Sequence, residues 1–349
     1  MQIIKVNTST SYEVHIGKGL LESAGEKLSV LFPLCKAMIV SDDIVFALYG
    51  ERLKSSLENA GFVCSSFVFE NGEERKRLST VESLLEQLAD EHFTRTDIII
   101  ALGGGVVGDM AGFAASVFLR GISYVQVPTT LLAAVDSSVG GKTAVDLSKG
   151  KNLCGAFWQP RLVLCDTSTL DTLKEINIQD GLAEMLKYGV ICDHDLFEKV
   201  KNYKENDMDA LIARCVEIKR DIVSGDEFDR GKRMLLNLGH TIGHAVEAAS
   251  NFSLTHGHGV AIGLAIIARA AEKLGFSAAG MSKEICDALT AVGLPQTTSY
   301  DTDMLANLTL SDKKSSGDSI SLIVPLDIGN TVIHKVKRTE VKDFIEAGK

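Results

Sequence analysis

The sequence predicts an α/β N-terminal domain with a Rossmann-like, mostly parallel sheet, followed by an all-α, mainly helical C-terminal domain. Three observations support this prediction. The first half alternates apolar strand-like runs with helical runs, whereas the second half has almost only helical periodicity. The chain also has 349 residues, more than one hydrophobic core usually serves. We therefore expect an α/β domain over residues 1–177 and a helical domain over residues 178–349.

Three strands are predicted in the first domain, at residues 36–40, 63–69 and 97–102. The third is an unbroken apolar run, which is typical of a strand buried on both faces. Helical segments lie between the strands, one ending near residue 60 and one covering residues 79–90. Strands that alternate with helices favour parallel pairing.

The second domain is predicted to contain six helices and one strand. The strand covers residues 319–325. The helical segments are 180–192, 195–203, 207–224, 233–250, 257–274 and 281–292.

The charge of the chain restricts its partners. It has 36 Lys and Arg against 46 Asp and Glu, a net charge of −10, which argues against a nucleic-acid or membrane-surface partner. An anionic ligand therefore needs a local group of basic residues. The N-terminus lacks the pattern of a signal peptide, and the seven cysteines include no CxxC pair, so we expect a cytoplasmic protein.

A glycine-rich turn follows the third predicted strand. Residues 103–109 match G-x-G-x-x-G, a pattern in which glycines let the backbone approach a pyrophosphate at a helix N-terminus. The strand is not the first of the sheet, and the usual acidic residue after a second strand is missing. The alternative interpretation, a glycine turn that only packs beneath a helix, has weight comparable to that of a pyrophosphate site.

A second candidate site lies in the segment 128–144, which combines small polar residues, paired glycines and Lys142. Its Gly-Gly-Lys-Thr sequence lacks the upstream glycine of a P-loop, so we reject a nucleoside triphosphatase. Lys149, Lys151 and Asn152 follow closely. Three lysines in a short span of an acidic chain favour an anion site.

Four of the eight histidines lie between residues 240 and 258, namely His240, His244, His256 and His258. Such a group favours a metal or catalytic site over isolated structural histidines. Glu184 can add a carboxylate from another helix, which would give the two imidazoles, one carboxylate and open position of a catalytic zinc site. Spacing alone favours His240 and His244 as the imidazole pair, because i and i+4 share a helix face.

In this order and spacing, these segments resemble the 3-dehydroquinate synthase family of the sugar-phosphate cyclase superfamily. The similarity extends from residue 41 to residue 314. The most specific segments are 103–109, Leu119-Arg120-Gly121, 128–133 with Asp136 and Gly-Gly-Lys142, Lys151-Asn152, the Glu184 helix, and 236–244.

The resemblance implies a dehydroquinate synthase-like fold, bound NAD, a divalent metal (zinc, with cobalt as an alternative) and a homodimer. The implied enzyme is a carbon–oxygen lyase of the shikimate pathway, which leads to chorismate and the aromatic amino acids. It converts 3-deoxy-D-arabino-heptulosonate 7-phosphate, a small sugar-acid phosphate, to 3-dehydroquinate and phosphate. In each turnover NAD is first reduced, phosphate is then lost by β-elimination, and NADH is reoxidised. Ring opening and an aldol closure follow.

The resemblance also implies roles for individual residues. The metal ligands would be Glu184, His240 and His256, and His256 would also contact substrate. The catalytic residues would be His244, Lys142 and Asp229. The NAD contacts would be Asp42, Glu73, Lys76, Gly104, Gly105, Val106, Asp109, Thr129, Thr130, Lys151, Thr169, Leu170, Asp171 and Thr172. The substrate contacts would be Arg120, Asp136, Lys142, Asn152, Lys187, Lys219, Arg233, Asn237, Lys313 and Lys314.

Three details of the resemblance affect these roles. Arg120 would reach the substrate phosphate of the neighbouring subunit. The chain has Ile44 where the family often has Asn, and Asp229 where it often has Glu.

Two alternative activities stay open. The first is a cyclase that acts on another sugar phosphate; Lys142, Lys219 and Arg233 argue against it, because they suit a substrate carboxylate. The second is a metal-dependent NAD glycerol or alcohol dehydrogenase, which would be recognised by net NADH production.

Overall fold

The computed structural model describes residues 1–205, 207–310, 315–316 and 318–349. The chain divides into two compact units. The first comprises Met1–Leu173 and Val216–Phe228, and the second comprises Lys174–Cys215 and Asp229–Lys349. The return of 216–228 to the first unit was not predicted. Among the described residues, no helix has the length and apolar character needed to cross a bilayer.

The first unit is built on a seven-stranded sheet and a separate two-stranded hairpin. Its strands are β1 Gln2–Val6, β2 Tyr12–Gly17, β3 Lys36–Asp42, β4 Val63–Phe69, β5 Ile98–Gly103, β6 Ser123–Pro128, β7 Lys142–Leu147, β8 Gly150–Phe157 and β9 Leu162–Asp166. The sheet has the order β1-β2-β9-β6-β5-β3-β4, and β7 pairs with β8. Every neighbouring pair in the large sheet is parallel except β1 and β2. The predicted mostly parallel sheet is therefore confirmed.

Helices cover both faces of this sheet. They are α1 Ala24–Leu31, α2 Asp43–Val45, α3 Glu51–Asn59, α4 Leu78–Asp90 and α5 Gly105–Val117. Because side chains alternate along a strand, Met38 and Val40 enter one core with α4 and α5. Ala37 and Ile39 enter a second core with α1 and α3.

The three predicted strands and the helix at 79–90 are present, but six strands of this unit were not predicted. Two of them, β7 and β8, lie in or next to segments that we interpreted as ligand-binding loops. Polar and glycine residues are irregularly spaced in both segments, so the alternation of apolar and polar residues that indicates a strand is missing.

The second unit is mainly helical. Its helices are α6 Glu175–Cys192, α7 His194–Lys201, α8 Met208–Gly225, α9 His240–Ala249, α10 His256–Lys273, α11 Met281–Ala291, α12 Thr302–Leu310 and α13 Val341–Gly348; the end of α8 belongs to the first unit. It also contains the strands β10 Ser315–Ser316, β11 Ser319–Asp327 and β12 Asn330–Lys337. Both pairs, β10–β11 and β11–β12, are antiparallel, and only β11 was predicted.

The helix predicted over 233–250 is not continuous. A short 3₁₀ helix covers Lys232–Asn237, and α9 starts only at His240. Between them, Gly239 has a φ of +77°, a left-handed conformation that glycine adopts readily. A Cβ at this position would lie 2.9 Å from the Val260 carbonyl oxygen. Glycine therefore both provides the left-handed residue before α9 and allows α9 to pack closely on α10.

Gly263→Ala tests this close packing. The added methyl carbon would lie 2.0 Å from the Gly239 carbonyl oxygen, so α9 and α10 must separate. We expect a loss of roughly 1–3 kcal/mol in the free energy of unfolding, measured by urea denaturation. Gly225→Ala is the matched control, since a Cβ there meets nothing within 4 Å. An unfolding free energy for Gly263→Ala equal to that of Gly225→Ala would contradict this account.

Candidate functional site

Three helices of the second unit bring Glu184, His240 and His256 together. Glu184 is on α6, His240 is the first residue of α9, and His256 is the first residue of α10. The Nε2 atoms of His240 and His256 lie 3.4 and 3.3 Å from Glu184 Oε1. The two imidazole rings are 5.2 Å apart between centroids.

Hydrogen bonds on the far side of each ring fix its orientation. His240 Nδ1 lies 3.1 Å from the Leu238 carbonyl oxygen, and His256 Nδ1 lies 3.0 Å from Glu247 Oε1. Carbonyl and carboxylate oxygens can only accept, so each Nδ1 is the donor. In the neutral rings, both Nε2 lone pairs therefore point towards the Glu184 carboxylate.

This arrangement fits a divalent metal ion. Zinc bonds of about 2.0–2.1 Å in a tetrahedral site put neighbouring ligand atoms about 3.3 Å apart, close to the observed separations. Glu184 is completely buried, and its carboxylate faces the Lys187 ammonium group on one oxygen and the two imidazole nitrogens on the other. A cation between the three side chains would compensate that buried carboxylate. Two imidazoles and one carboxylate would leave a fourth position for a substrate oxygen.

The protonation of His256 reflects the same excess of negative charge. Burial alone would lower its pKa, but hydrogen bonds to Glu184 and Glu247 outweigh this effect and raise the pKa to about 10. Two carboxylates around one imidazole thus favour a positive charge at this position. A metal ion would supply that charge in place of the proton.

His244 is adjacent to this donor set. Its ring lies 5.4 Å from that of His240 and 5.8 Å from that of His256, measured between centroids. A second set of donor atoms, from His244, Glu247 and His256, also lies within 4.8 Å. Because Glu247 already accepts from His256 Nδ1, we favour the set that contains Glu184. This is the set implied by the resemblance and not the His240–His244 pair favoured by spacing.

Basic side chains are buried in the same unit. Lys187 lies one turn after Glu184 on α6, is only 1% exposed, and places its ammonium group against Glu184 Oε2. Arg233 is also buried, and the Asn237 side chain donates to the Met234 carbonyl oxygen at 3.0 Å. Asp229 precedes them with a φ of +55°. Lys313 and Lys314 lie outside the described residues.

The glycine turn of the first unit has the features of an anion site. Gly104 precedes α5, whose N-terminal N–H groups carry partial positive charge. Cβ atoms at Gly104 and Gly105 would lie 3.0 Å from Thr130 and 3.2 Å from Ser137, so larger residues would crowd this turn. The Thr129 hydroxyl is buried and forms no hydrogen bond with the described residues. These features fit the phosphate part of a dinucleotide.

An ion pair is buried beside this turn. Lys76 Nζ donates to Asp109 Oδ2 at 2.6 Å and to Asn152 Oδ1 at 2.7 Å. Burial alone would lower the pKa of Lys76, but Asp109 and the nearby Glu73 outweigh it and raise the pKa. Lys151 Nζ lies 3.3 Å from a carboxylate oxygen of Glu73. These interactions link five residues that were predicted to contact ligands, namely Glu73, Lys76, Asp109, Lys151 and Asn152.

The remaining predicted NAD contacts are spread over several loops of the first unit. The Asp42 side chain accepts from the Val45 N–H at 2.9 Å and thereby caps α2. The 3₁₀ helix Thr167–Thr172, which contains Leu170 and Asp171, is held by the Tyr49 hydroxyl, which donates to the Thr169 carbonyl at 3.1 Å. Val106 lies in the first turn of α5.

The predicted substrate contacts of the first unit occupy separate places. Lys219 Nζ donates to Asp136 Oδ1 at 2.9 Å. Lys142 is exposed at the start of β7. Arg120 is exposed in a turn where Leu119 and Arg120 have φ values of +49° and +69°. Left-handed backbone at two consecutive residues with Cβ atoms is uncommon and often marks functional positions.

Three residues with evident roles were missed by the sequence analysis. Glu247 orients His256, Tyr49 holds the 167–172 turn, and Asp146 binds the backbone of Asn152. Glu247 follows His244 by three positions, and this i, i+3 spacing on a helix was a usable signal. The residues that Tyr49 contacts are remote from it in sequence, so the sequence contained no signal for its role.

Comparisons with known proteins agree with this combination of a parallel α/β sheet and a two-histidine, one-carboxylate centre. Family models described as 3-dehydroquinate synthase N-terminal and C-terminal match residues 66–180 and 181–315. A 3-dehydroquinate synthase from Streptococcus pneumoniae is 43% identical over 343 residues, which cover 96% of each chain.

Two solved structures share the fold over nearly their whole length. One is 2-epi-5-epi-valiolone synthase from Streptomyces hygroscopicus subsp. jinggangensis 5008 with NAD⁺ and Zn²⁺ bound, with a TM-score of 0.89, 26% identity and 98% coverage of both chains. The other is 2-deoxy-scyllo-inosose synthase complexed with carbaglucose-6-phosphate, NAD⁺ and Co²⁺, with a TM-score of 0.86, 26% identity and full coverage of both chains.

Fold and site therefore define a protein of the same structural class as these NAD-binding and metal-binding synthases. Within that class, the two family models and the similarity over 96% of the chain are decisive. The chain belongs to the 3-dehydroquinate synthase family.

Glu247→Ala tests the metal centre independently of turnover. Without the acceptor for His256 Nδ1, the ring loses its fixed orientation, and we expect the dissociation constant for zinc to rise about 10–100-fold. Competition with a chromogenic chelator measures this constant. Glu247→Gln keeps an acceptor oxygen and is the matched control. Equal zinc affinity in the Ala variant and the wild type would show that Glu247 does not orient a ligand.

Proposed function

We propose that the protein is a 3-dehydroquinate synthase, a lyase that converts 3-deoxy-D-arabino-heptulosonate 7-phosphate to 3-dehydroquinate and phosphate. The observation that carries this proposal is the buried Glu184–His240–His256 donor set with Lys187 beside it, in a chain of that family. The implied cofactors are NAD and a divalent ion, zinc or cobalt, as in the solved neighbours. When bound, they supply a reversible hydride acceptor and a Lewis acid at the hydroxyl to be oxidised.

The second unit supplies the groups that bind the metal and handle protons. We assign Glu184, His240 and His256 as metal ligands, with His256 also near substrate. His244, whose ring lies 5.4 Å from that of His240, moves the proton of the substrate hydroxyl. Asp229 is assigned as a general base in the same reaction.

Buried cations hold the two anionic groups of the substrate. Arg233 and Lys187 are at most 2% exposed, so their charges act in an environment of low dielectric constant. Lys219 is held by Asp136, which restricts its ammonium group. With Lys142, Asn152, Asn237 and the Lys313–Lys314 pair, these residues form the proposed substrate contacts.

NAD binding is assigned to residues 1–177, and metal and substrate binding to 178–349. The α5 N-terminus at Gly104 and Gly105 suits the pyrophosphate, and the buried Thr129 hydroxyl offers a donor beside it. Lys76 and Asp109 form a fixed ion pair next to this turn. Asp42, Glu73, Lys151 and the 169–172 turn complete the proposed contacts.

The two alternative activities are less well supported. The cyclases that act on other sugar phosphates are 26% identical to the chain, against 43% for the curated 3-dehydroquinate synthase. The buried Arg233 also suits a carboxylate, which the substrate of 3-dehydroquinate synthase carries.

A combined assay tests the proposed activity. With NAD and zinc present, the seven-carbon sugar-acid phosphate should release one phosphate per molecule, and absorbance at the NADH wavelength should not rise lastingly. Removing the metal with a chelator, or changing Glu184 to Gln, should lower phosphate release by at least about a hundredfold. NADH that accumulates with glycerol, without phosphate release, would instead establish a dehydrogenase.

The homodimer and a cytoplasmic location are further parts of the proposal. Arg120 is exposed and lies in a left-handed turn, as suits a residue that acts on a neighbouring subunit. The site would then be complete only in the dimer.

A mixture of two inactive variants tests the role of Arg120. Arg120→Ala and Glu184→Gln should each have little activity alone. If Arg120 acts on the partner's substrate, each mixed dimer contains one intact site, so random mixing should restore about a quarter of the wild-type rate. Light scattering verifies dimer formation. A dimeric mixture without recovered activity would mean that Arg120 acts within its own subunit or not at all.

A further inference from the structure

The β7–β8 hairpin contains an irregularity that places Asp146 outside the hairpin ladder. Val145 pairs with Cys154 and Leu147 with Gly150, and the register shifts between them. Residues 151–153 of β8 therefore lie opposite Asp146, so the extra residues of this bulge, Asn152 among them, are on β8. Asp146 forms a bridge with Arg77, and its N–H donates to the Lys76 carbonyl oxygen at 2.8 Å. Bulges often redirect a side chain next to an active site.

The Asp146 carboxylate holds Asn152 in a sparsely populated conformation. Asp146 Oδ1 accepts from the Asn152 N–H at 2.7 Å, and Asn152 has a φ of +54°. Asparagine tolerates left-handed backbone better than most residues, but the conformation still needs support from its surroundings. Asp146 provides this support from six positions earlier in the chain.

The two contacts of Asp146 close a ring of hydrogen bonds. Its N–H holds the backbone of Lys76, and its carboxylate holds the backbone of Asn152. The side chains of the same two residues meet, with Lys76 Nζ donating to Asn152 Oδ1 at 2.7 Å. Lys76 Nζ also donates to Asp109 at the start of α5. Asp146, which lies opposite the bulge, thus fixes both partners of a contact that leads to the glycine turn.

We propose that Asp146 is a positioning residue that sets the affinity of the site for NAD and substrate through Lys76 and Asn152. This inference rests on the proposed function, in which Lys76 and Asp109 contact NAD and Asn152 contacts substrate. Asp146 touches neither ligand. Without its carboxylate, the Asn152 backbone can leave the left-handed region, and the amide oxygen then withdraws from Lys76.

Asp146→Ala and Asp146→Asn separate this role from a general effect on folding. The bond to the Asn152 N–H needs only an acceptor oxygen, which Asn keeps and Ala lacks. With the zinc-loaded enzyme, we expect Asp146→Ala to raise the dissociation constant for NAD about tenfold, measured by titration calorimetry. The KM for the sugar-acid phosphate should rise in parallel. Asp146→Asn should stay within about threefold of the wild type.

Asp193→Ala is the matched control. Asp193 is also a half-buried aspartate that accepts from a backbone N–H, that of Leu196 at 2.9 Å, but it caps α7 in the second unit. Its loss should lower the melting temperature without changing NAD affinity. A change in NAD affinity equal to that in Asp146→Ala would mean that any lost cap weakens binding, and would overturn the proposal.

A double-mutant cycle supplies the deciding measurement. If Asp146 acts through Asn152, adding Asp146→Ala to Asn152→Ala should change NAD affinity by less than about twofold. Additive effects, or an Asp146→Ala variant that binds NAD like the wild type, would overturn the inference. A wild-type protein that binds no NAD would instead refute the proposed function, so the two failures are distinguishable.

Discussion

The buried Glu184 carboxylate sets the main electrostatic constraint on the second unit. An ionised carboxylate that is completely removed from water costs several kcal/mol unless it is paired. Lys187 lies against one of its oxygens, while two imidazole nitrogens face the other at 3.3 and 3.4 Å. Those nitrogens present lone pairs when the rings are neutral, so a positive charge, either a proton on His256 or a metal ion, must lie between them and the carboxylate. The same desolvation that makes this carboxylate costly gives it a strong affinity for a divalent ion.

Backbone packing brings the proposed metal-binding side chains together. The two histidines start different helices, α9 and α10, and those helices can approach only because glycines face each other at Gly239 and Gly263. Glu247 belongs to α9 yet orients His256 on α10, so the metal centre and the helix packing depend on each other. A substitution in this glycine contact would therefore act on metal binding although it touches no ligand.

The sequence was sufficient to predict elements whose apolar residues recur with a clear period. It was insufficient where contacts between residues distant in sequence determine the structure. The apolar strand at 97–102 and the helix at 79–90 form as predicted, because their residues bury regular faces. β7 and β8 lack such a period, and Gly239 interrupts a segment whose apolar spacing looked continuous. At the site, spacing favoured His240 and His244, since i, i+4 pairs are local. Only the tertiary approach of α10 places His256 beside Glu184, and no spacing rule within one helix contains that information.

The two units hold their buried lysines in place in different ways. An acidic protein that takes an anionic substrate must keep its cations in place without neutralising them. Lys187 is held by the Glu184 carboxylate, which is itself positioned to bind a metal. Lys76 is held by Asp109 and by the neutral amide of Asn152, whose backbone depends on Asp146. In both places the fixed geometry of the cation comes from neighbouring side chains. The proposed substrate binding therefore also depends on Asp146 in the β7–β8 hairpin and on Glu247 behind His256.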